Sequence, residues 1–224
     1  MGALVIVALM AAAATPDTAA QVSFLTGSAE SKLGGDWKPI AVGAAIAEGA
    51  SVRTGKGTRV ELTFIDGSRF RISSLSEVLI NKASFTAKKR EDVSVKLLAG
   101  RVWASVAKKT GGKDAFEVTT TNATAGVRGT SFAVLAAGDA SALVRVYSGT
   151  VGVKPNGSAA KFGDRKQVSG PKEIDKKQWE EIVATAMKEV KVSAAGDLSP
   201  AQDFEDAGES LEWAQWNQDR DAGK

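Results

Sequence analysis

The sequence predicts a mainly β protein, a single β-roll or jelly-roll-like sandwich of short strands carrying a C-terminal α-helical extension. Three observations predict it. From Gln21 to about Val168 apolar residues recur at every second position, the period of a strand with one buried face. Glycine punctuates these runs at short intervals, which suits a sandwich or roll better than long open strands. After Pro171 the apolar spacing lengthens to three and four residues, the period of a helix.

Taken in order, the chain divides at residues 20 and 170. Residues 3–14 are an uncharged apolar run followed by small residues. A run of that length suits the hydrophobic region of a signal peptide and is short of the roughly 20 residues that span a bilayer. The small residues Thr18 and Ala20 place an expected cleavage before Gln21, which makes residues 1–20 a signal peptide. Residues 21–170 form the β domain. In it Val60, Leu62 and Phe64 alternate with Glu61 and Thr63, Asp66-Gly67 follows, and Phe70 and Ile72 alternate with Arg69 and Arg71. That is a hairpin signal, since Asp-Gly supplies the positive φ angles of a tight primed turn. Further alternating runs are Val93/Val95/Leu97, Val102/Ala104/Val106, Phe116/Val118/Thr120, Phe132/Val134 and Val144/Val146. Three segments share a glycine-led strand entry: Thr26-Gly27-Ser28-Ala29, Ala99-Gly100-Arg101-Val102 and Ser148-Gly149-Thr150-Val151. Residues 171–224 form an acidic helical extension, partly disordered. Its apolar stripe of Ile174, Trp179, Ile182, Val183, Ala186 and Val190 predicts a helix over about 173–191, followed by a short helix or tail around Phe204, Leu211, Trp213 and Trp216.

Composition narrows the chemistry. The 224 residues contain no Cys and no His, which removes disulfides, thiolate metal sites, thiol nucleophiles and the commonest general base. The chain is therefore expected to be no enzyme, to hold no metal and to need no cofactor. Charge is divided unevenly: residues 21–170 carry 22 Lys/Arg against 12 Asp/Glu, and residues 171–224 carry 7 against 13. A basic body and an acidic tail fit a tail that folds back on its own domain. The basic residues are scattered, so no nucleic acid partner is implied, and the mature form has no stretch apolar enough to span a membrane.

Four blocks resemble the FecR domain, a bacterial extracytoplasmic module. They are Gly43-Ala-Ala-Ile-Ala-Glu-Gly-Ala-Ser-Val-Arg-Thr-Gly55, Val60-Glu-Leu-Thr-Phe-Ile-Asp-Gly-Ser68, Leu97-Leu-Ala-Gly-Arg-Val-Trp103 and Thr120-Thr-Asn-Ala-Thr-Ala-Gly-Val-Arg-Gly-Thr-Ser-Phe132. The likeness covers roughly residues 22–155. Founding members of that family are membrane-anchored sensors whose cytoplasmic segment regulates a sigma factor while the periplasmic part senses an outer-membrane iron transporter. No cytoplasmic segment or spanning helix precedes the FecR-like region here, so the resemblance implies a stand-alone exported module, periplasmic or extracellular. It implies a non-enzymatic binding or scaffolding role toward an envelope protein or polysaccharide, with a sensory subunit acting through a membrane partner as the alternative.

The candidate binding residues are Arg53, Arg128, Trp37 and Trp103. Val52-Arg53-Thr54-Gly55 and Val127-Arg128-Gly129-Thr130 each place an arginine before a glycine bend, where its planar fork can face a carboxylate or a partner backbone. The competing reading has these arginines tying loops to Glu61 or Asp66. Trp103 faces away from Val102 and Ala104 by strand alternation, so it either meets a partner or lies beneath the C-terminal helix through Trp179. Asp66, Gly67 and Gly129 are read as structural turn residues. Ser105-Val-Ala-Lys108 with Lys109-Thr-Gly111 imitates the elements of a Ser/Lys hydrolase. Those elements belong on a helix and a distant strand, and here they overlap on one strand and turn.

Overall fold

The computed structural model describes residues 18–87, 89–108, 115–127, 129–156 and 182–223. Among these residues the strands form two sheets that share one member. Sheet A runs in the order β4 (Ala45–Ala47), β1 (Thr18–Thr26), β6 (Arg59–Phe64), β7 (Arg69–Ile72), β9 (Lys89–Ser105), β12 (Ser131–Ala136), β13 (Ala142–Ser148), β16 (Lys188–Val192) and β17 (Gln202–Asp203). Sheet B runs β3 (Lys38–Pro39), β2 (Ala29–Lys32), β5 (Ser51–Thr54), β8 (Glu77–Thr86), β9, β10 (Ala115–Thr119), β11 (Ala123–Val127), β14 (Thr150–Pro155) and β15 (Ile182–Thr185). Every ladder is antiparallel except β9 with β10. The predicted sandwich is therefore the observed one.

The alternating runs supply most of the inward residues, and Val78 and Ile80 of β8, outside those runs, join them. Val60, Leu62, Phe64, Phe70 and Ile72 of sheet A meet Val78, Ile80, Val93, Val95 and Phe116 of sheet B in one core. Phe116 is the bridge between layers: its ring lies 5.8 Å from Phe64, edge to face, and 6.5 Å from Phe70. Such pairs add about 0.5–1.5 kcal/mol to the burial of the rings themselves.

The three glycine-led entries are the places where a strand leaves one sheet for the other. Gly27 carries the chain from β1 to β2, Gly100 bends β9 from sheet B into sheet A, and Gly149 carries it from β13 to β14, with φ of 82°, 86° and 82°. Each corner is closed in the same way by a hydroxyl from a neighbouring corner. Thr58, Ser76 and Thr130 accept the N–H of Ser28, Arg101 and Thr150 and donate back to the carbonyl of the same residue. The hydroxyl sits where a Cβ would be, so the recurrence expresses a steric demand that glycine alone meets.

The structure departs from expectation in three segments. Thr18–Ala20, expected in the export segment, begin β1; Ala19 and Ala20 belong to the core, and Ala20 pairs with Ile46 and Phe64. A cut before Gln21 would remove those contacts, and residues 1–17 lie outside the described residues. The second half of the expected 173–191 helix is instead β15 and β16, joined by a turn at Met187, φ 61°. The β-branched Ile182, Val183, Thr185, Val190 and Val192 suit strands, and β13 and β14 offer open edges that fix them by pairing. The rest of that helix, with Trp179, lies outside the described residues. The helix that exists, α1 (Glu209–Asp221), starts eighteen residues later than the expected end and packs on the outer face of sheet A.

Candidate binding surfaces

Arg53 and Trp37, separate in the sequence, meet on the outer side of sheet B near its β3 edge. Arg53 pairs across the ladder with Glu30, and its Nε donates to Glu30 Oε2 at 2.7 Å. Its Cζ lies 4.3 Å from the Trp37 ring centre, and Lys32 Nζ lies 4.4 Å from the same centre. Glu30, Lys32 and Arg53 share a face because positions 30 and 32 are two apart on β2. The exposed Arg53–Glu30 bridge adds little stability. Its effect is geometric: indole and carboxylate hold two cations in fixed places on open surface. Beside them is a cleft of about 450 Å³ lined by Ser31, Lys32, Leu33, Asp36, Lys38 and Ile46.

Trp103 takes the other course. It is fully buried, outside the main core, in a second cluster with Ala133, Trp213 and Ala214. The covering helix is α1, through Trp213, and not one carrying Trp179. Tyr147 packs against Trp103 at 4.3 Å between ring centres, and Trp103 Nε1 donates to Asp221 Oδ2 at 3.1 Å. Trp103 thus docks α1 and presents nothing to a partner. Arg128 lies outside the described residues, as does the Lys109-Thr-Gly element. Gly129 has φ 60°, and a Cβ there would stand 2.7 Å from Lys108 Cβ.

The cap is anchored by ions that the sequence reading did not join. Arg71, fully buried, pairs with Glu61 at 2.6 Å and with Asp221 at 2.7 Å. It also donates to the Asn217 carbonyl, while Arg69 donates to the Arg220 carbonyl. Arginines of β7 therefore donate to carbonyls in the last turn of α1, its negative end. Arg220 returns two hydrogen bonds to Glu61 and lies over the Phe24 ring at 4.4 Å. Burial pushes the Glu61 carboxyl up, but the hydrogen bonds from Arg220, Arg71 and Ser23 outweigh it and hold the pKa down at about 2, from 4.5. A depressed carboxylate stabilises the fold above its unfolded pKa. The Glu61 contribution is thus complete above about pH 4.5 and lost as pH falls toward 2. Melting curves of the parent and Glu61→Gln should run a constant distance apart above pH 5 and converge between about pH 4.5 and 2; a separation independent of pH would refute the assignment.

Asp66 and Gly67 are structural turn residues of a different kind from that expected. Only Gly67, φ 86°, has a positive φ. The loop closes through Gly67 N–H to the Phe64 carbonyl and Phe64 N–H to the Ser68 carbonyl, so four residues rather than two connect β6 to β7. Asp66 is buried, accepts from Ser68 N–H and Oγ, and pairs with the fully buried Arg90. The arginines tied to Glu61 are therefore Arg71 and Arg220 and the one paired with Asp66 is Arg90, whereas Arg53 pairs with Glu30. Ser105 lies on the outer face with Trp103, its hydroxyl 3.5 Å from that of Ser131, and no hydrogen bond joins it to Lys108 among the described residues.

Comparison with known proteins fits this geometry. The family model described as FecR protein matches residues 50–152, from the turn before β5 into β14. Over those residues, just under half of the chain, the protein is similar to the FecR family. Of the candidate residues, Arg53, Trp103 and Arg128 fall within the FecR match, while Trp37, β1–β4 and the α1 cap lie outside it. The putative anti-sigma factor of Parabacteroides distasonis ATCC 8503, solved at 1.65 Å and again at 2.50 Å, shares the fold with a TM-score of 0.52 at 20% identity. The alignment covers 74% of this chain and 64% of that one, so the chain spans less than two thirds of its structural neighbour. No curated protein matches the sequence.

Proposed function

We propose that this chain is a non-catalytic regulatory module, exported from the cytoplasm, that binds an envelope protein through the Trp37–Arg53 surface of sheet B. The observation that carries the proposal is the asymmetry of the two sheets. The outer face of sheet A is closed by α1, whereas Lys32, Trp37 and Arg53 form a prearranged cationic surface that no other part of the described chain covers. An indole with two cations at its centre presents charge rather than a bare stacking face, which favours a protein carrying carboxylates over a polysaccharide. The FecR match and the anti-sigma-factor neighbour support a regulatory role. Among the described residues no helix is long and apolar enough to cross a membrane. The apolar run at residues 3–14 supports export, with processing ahead of Thr18 so that β1 keeps its core residues.

The test compares transcript profiles of cells carrying the parent gene, a deletion, and the double substitution Trp37→Ala with Arg53→Ala, after the variant protein is shown to melt as the parent does. Both side chains are partly exposed, so stability should change by less than about 1 kcal/mol. The double variant should reproduce the deletion profile; a profile identical to the parent would remove the surface from the function. Incubation with a serine-directed fluorophosphonate should leave Ser105 unlabelled, and labelling there would restore the hydrolase reading.

A further inference from the structure

A second site lies on the opposite sheet, beneath the α1 cap. We propose that the cavity between sheet A and residues 206–213 binds a small carboxylate. Its floor follows from register: on the outer face Arg101 pairs with Leu135 and Leu135 with Leu143, while Trp103 pairs with Ala133 and Ala133 with Arg145. Asp206, Ser210 and Trp213 form the roof, leaving about 70 Å³. That exceeds the roughly 30 Å³ share of one water and suits a carboxylate head with a short apolar tail.

The charges lining the cavity are unequal. Arg145 is matched by Glu189 at 2.9 Å and Asp206 at 2.8 Å, and Tyr147 donates its hydroxyl to Asp206 at 3.1 Å. Asp206, the one carboxylate facing the cavity, is thereby committed. Arg101 has no carboxylate partner among the described residues; its side chain donates only to Ser210 Oγ at 3.3 Å. The buried Nε of Arg101 and Nε1 of Trp213 have no acceptor among the described residues. Two guanidiniums, one committed carboxylate and unmatched donors require a group that only accepts. The Arg101 guanidinium without a carboxylate partner points to a monoanion, its plane to a two-oxygen acceptor, and the apolar walls of Ala133, Leu135 and Leu143 to a short alkyl tail. A free short-chain acid and the terminal carboxylate of a protein both have this chemistry.

The experiment follows the indole N–H resonance of Trp213 in the full chain during titration with propionate, acetyl-Ala-Ala and propionamide. Propionate or the dipeptide should shift it and the neutral amide should not. A tighter response to propionate identifies a free acid, and a tighter response to the dipeptide identifies a chain terminus. Arg101→Gln should weaken the response about tenfold or more, with Arg101→Lys in between because it keeps the charge and loses the fork. Absence of any shift at tens of millimolar, an equal response to propionamide, or an undiminished response in Arg101→Gln would overturn the proposal. The sheet B surface would be untouched by that result.

Discussion

Replacing Arg71 with methionine is expected to destabilise the protein by about 3–5 kcal/mol, the cost of removing one member of a buried ion cluster and leaving the others uncompensated. Arg71 is fully buried, as is nearly all of Glu61, and Asp221 is only 18% exposed at its side chain. Methionine fills much of the volume, so the loss measures charge and hydrogen bonding more than a cavity. The α1 carbonyls of Asn217 lose their donor at the same time. Chemical denaturation followed by tryptophan fluorescence measures the change, since Trp103 and Trp213 sit in the affected interface. Adding Glu61→Gln and Asp221→Asn to Arg71→Met should recover part of the loss, because neutral amides tolerate burial better than orphaned carboxylates. A cost below about 1 kcal/mol for Arg71→Met would mean that the cluster is solvated and that α1 is held by its aromatic contacts alone.

Gly100→Ala is expected to have an effect of similar size, about 2–6 kcal/mol, for an unrelated reason. The backbone at Gly100 has φ 86°, where an L side chain is strained by roughly 1–3 kcal/mol. The added Cβ would stand 2.2 Å from Ser76 Oγ and 2.7 Å from its Cα, which forces the corner apart and adds another 1–3 kcal/mol or so of overpacking. The hydroxyl that closes the corner through Arg101 is the group displaced. Gly126→Ala is the control, since Gly126 has no positive φ and nothing within 4 Å of its would-be Cβ. Its melting temperature should stay near that of the parent. Equal effects of the two substitutions would show that the bend in β9 does not depend on glycine.

The pairing of Glu61 with Arg71 was within reach of sequence reasoning. Both stand at the polar positions of two alternating runs joined by a short turn, and the hairpin register places them directly opposite. What concealed the pair was the reading of Glu61 as a partner for Arg53, an arginine chosen for its glycine-flanked motif. Asp221 carried no local signal, because its partner is 150 residues earlier. Trp37 and Arg53 were both selected as candidates, yet nothing in their spacing showed that they share one surface; the β2–β5 ladder decides that.

By itself the sequence determined the sandwich, most of its inward residues and the glycines that its corners require. Alternation is a local property of an extended chain, and a left-handed backbone with no room for a Cβ admits only glycine, so both leave a mark at the residue concerned. Tertiary structure alone decided that residues 182–192 are strands, that Ala19 and Ala20 are core, that α1 covers Trp103 and that Trp37 and Arg53 share one surface of sheet B. Those outcomes depend on which unpaired strand edges and which apolar outer face remain after the two sheets have formed. A short segment with mixed periodicity takes the partner that satisfies its backbone and its apolar side chains together, and that partner is set by contacts far away along the chain.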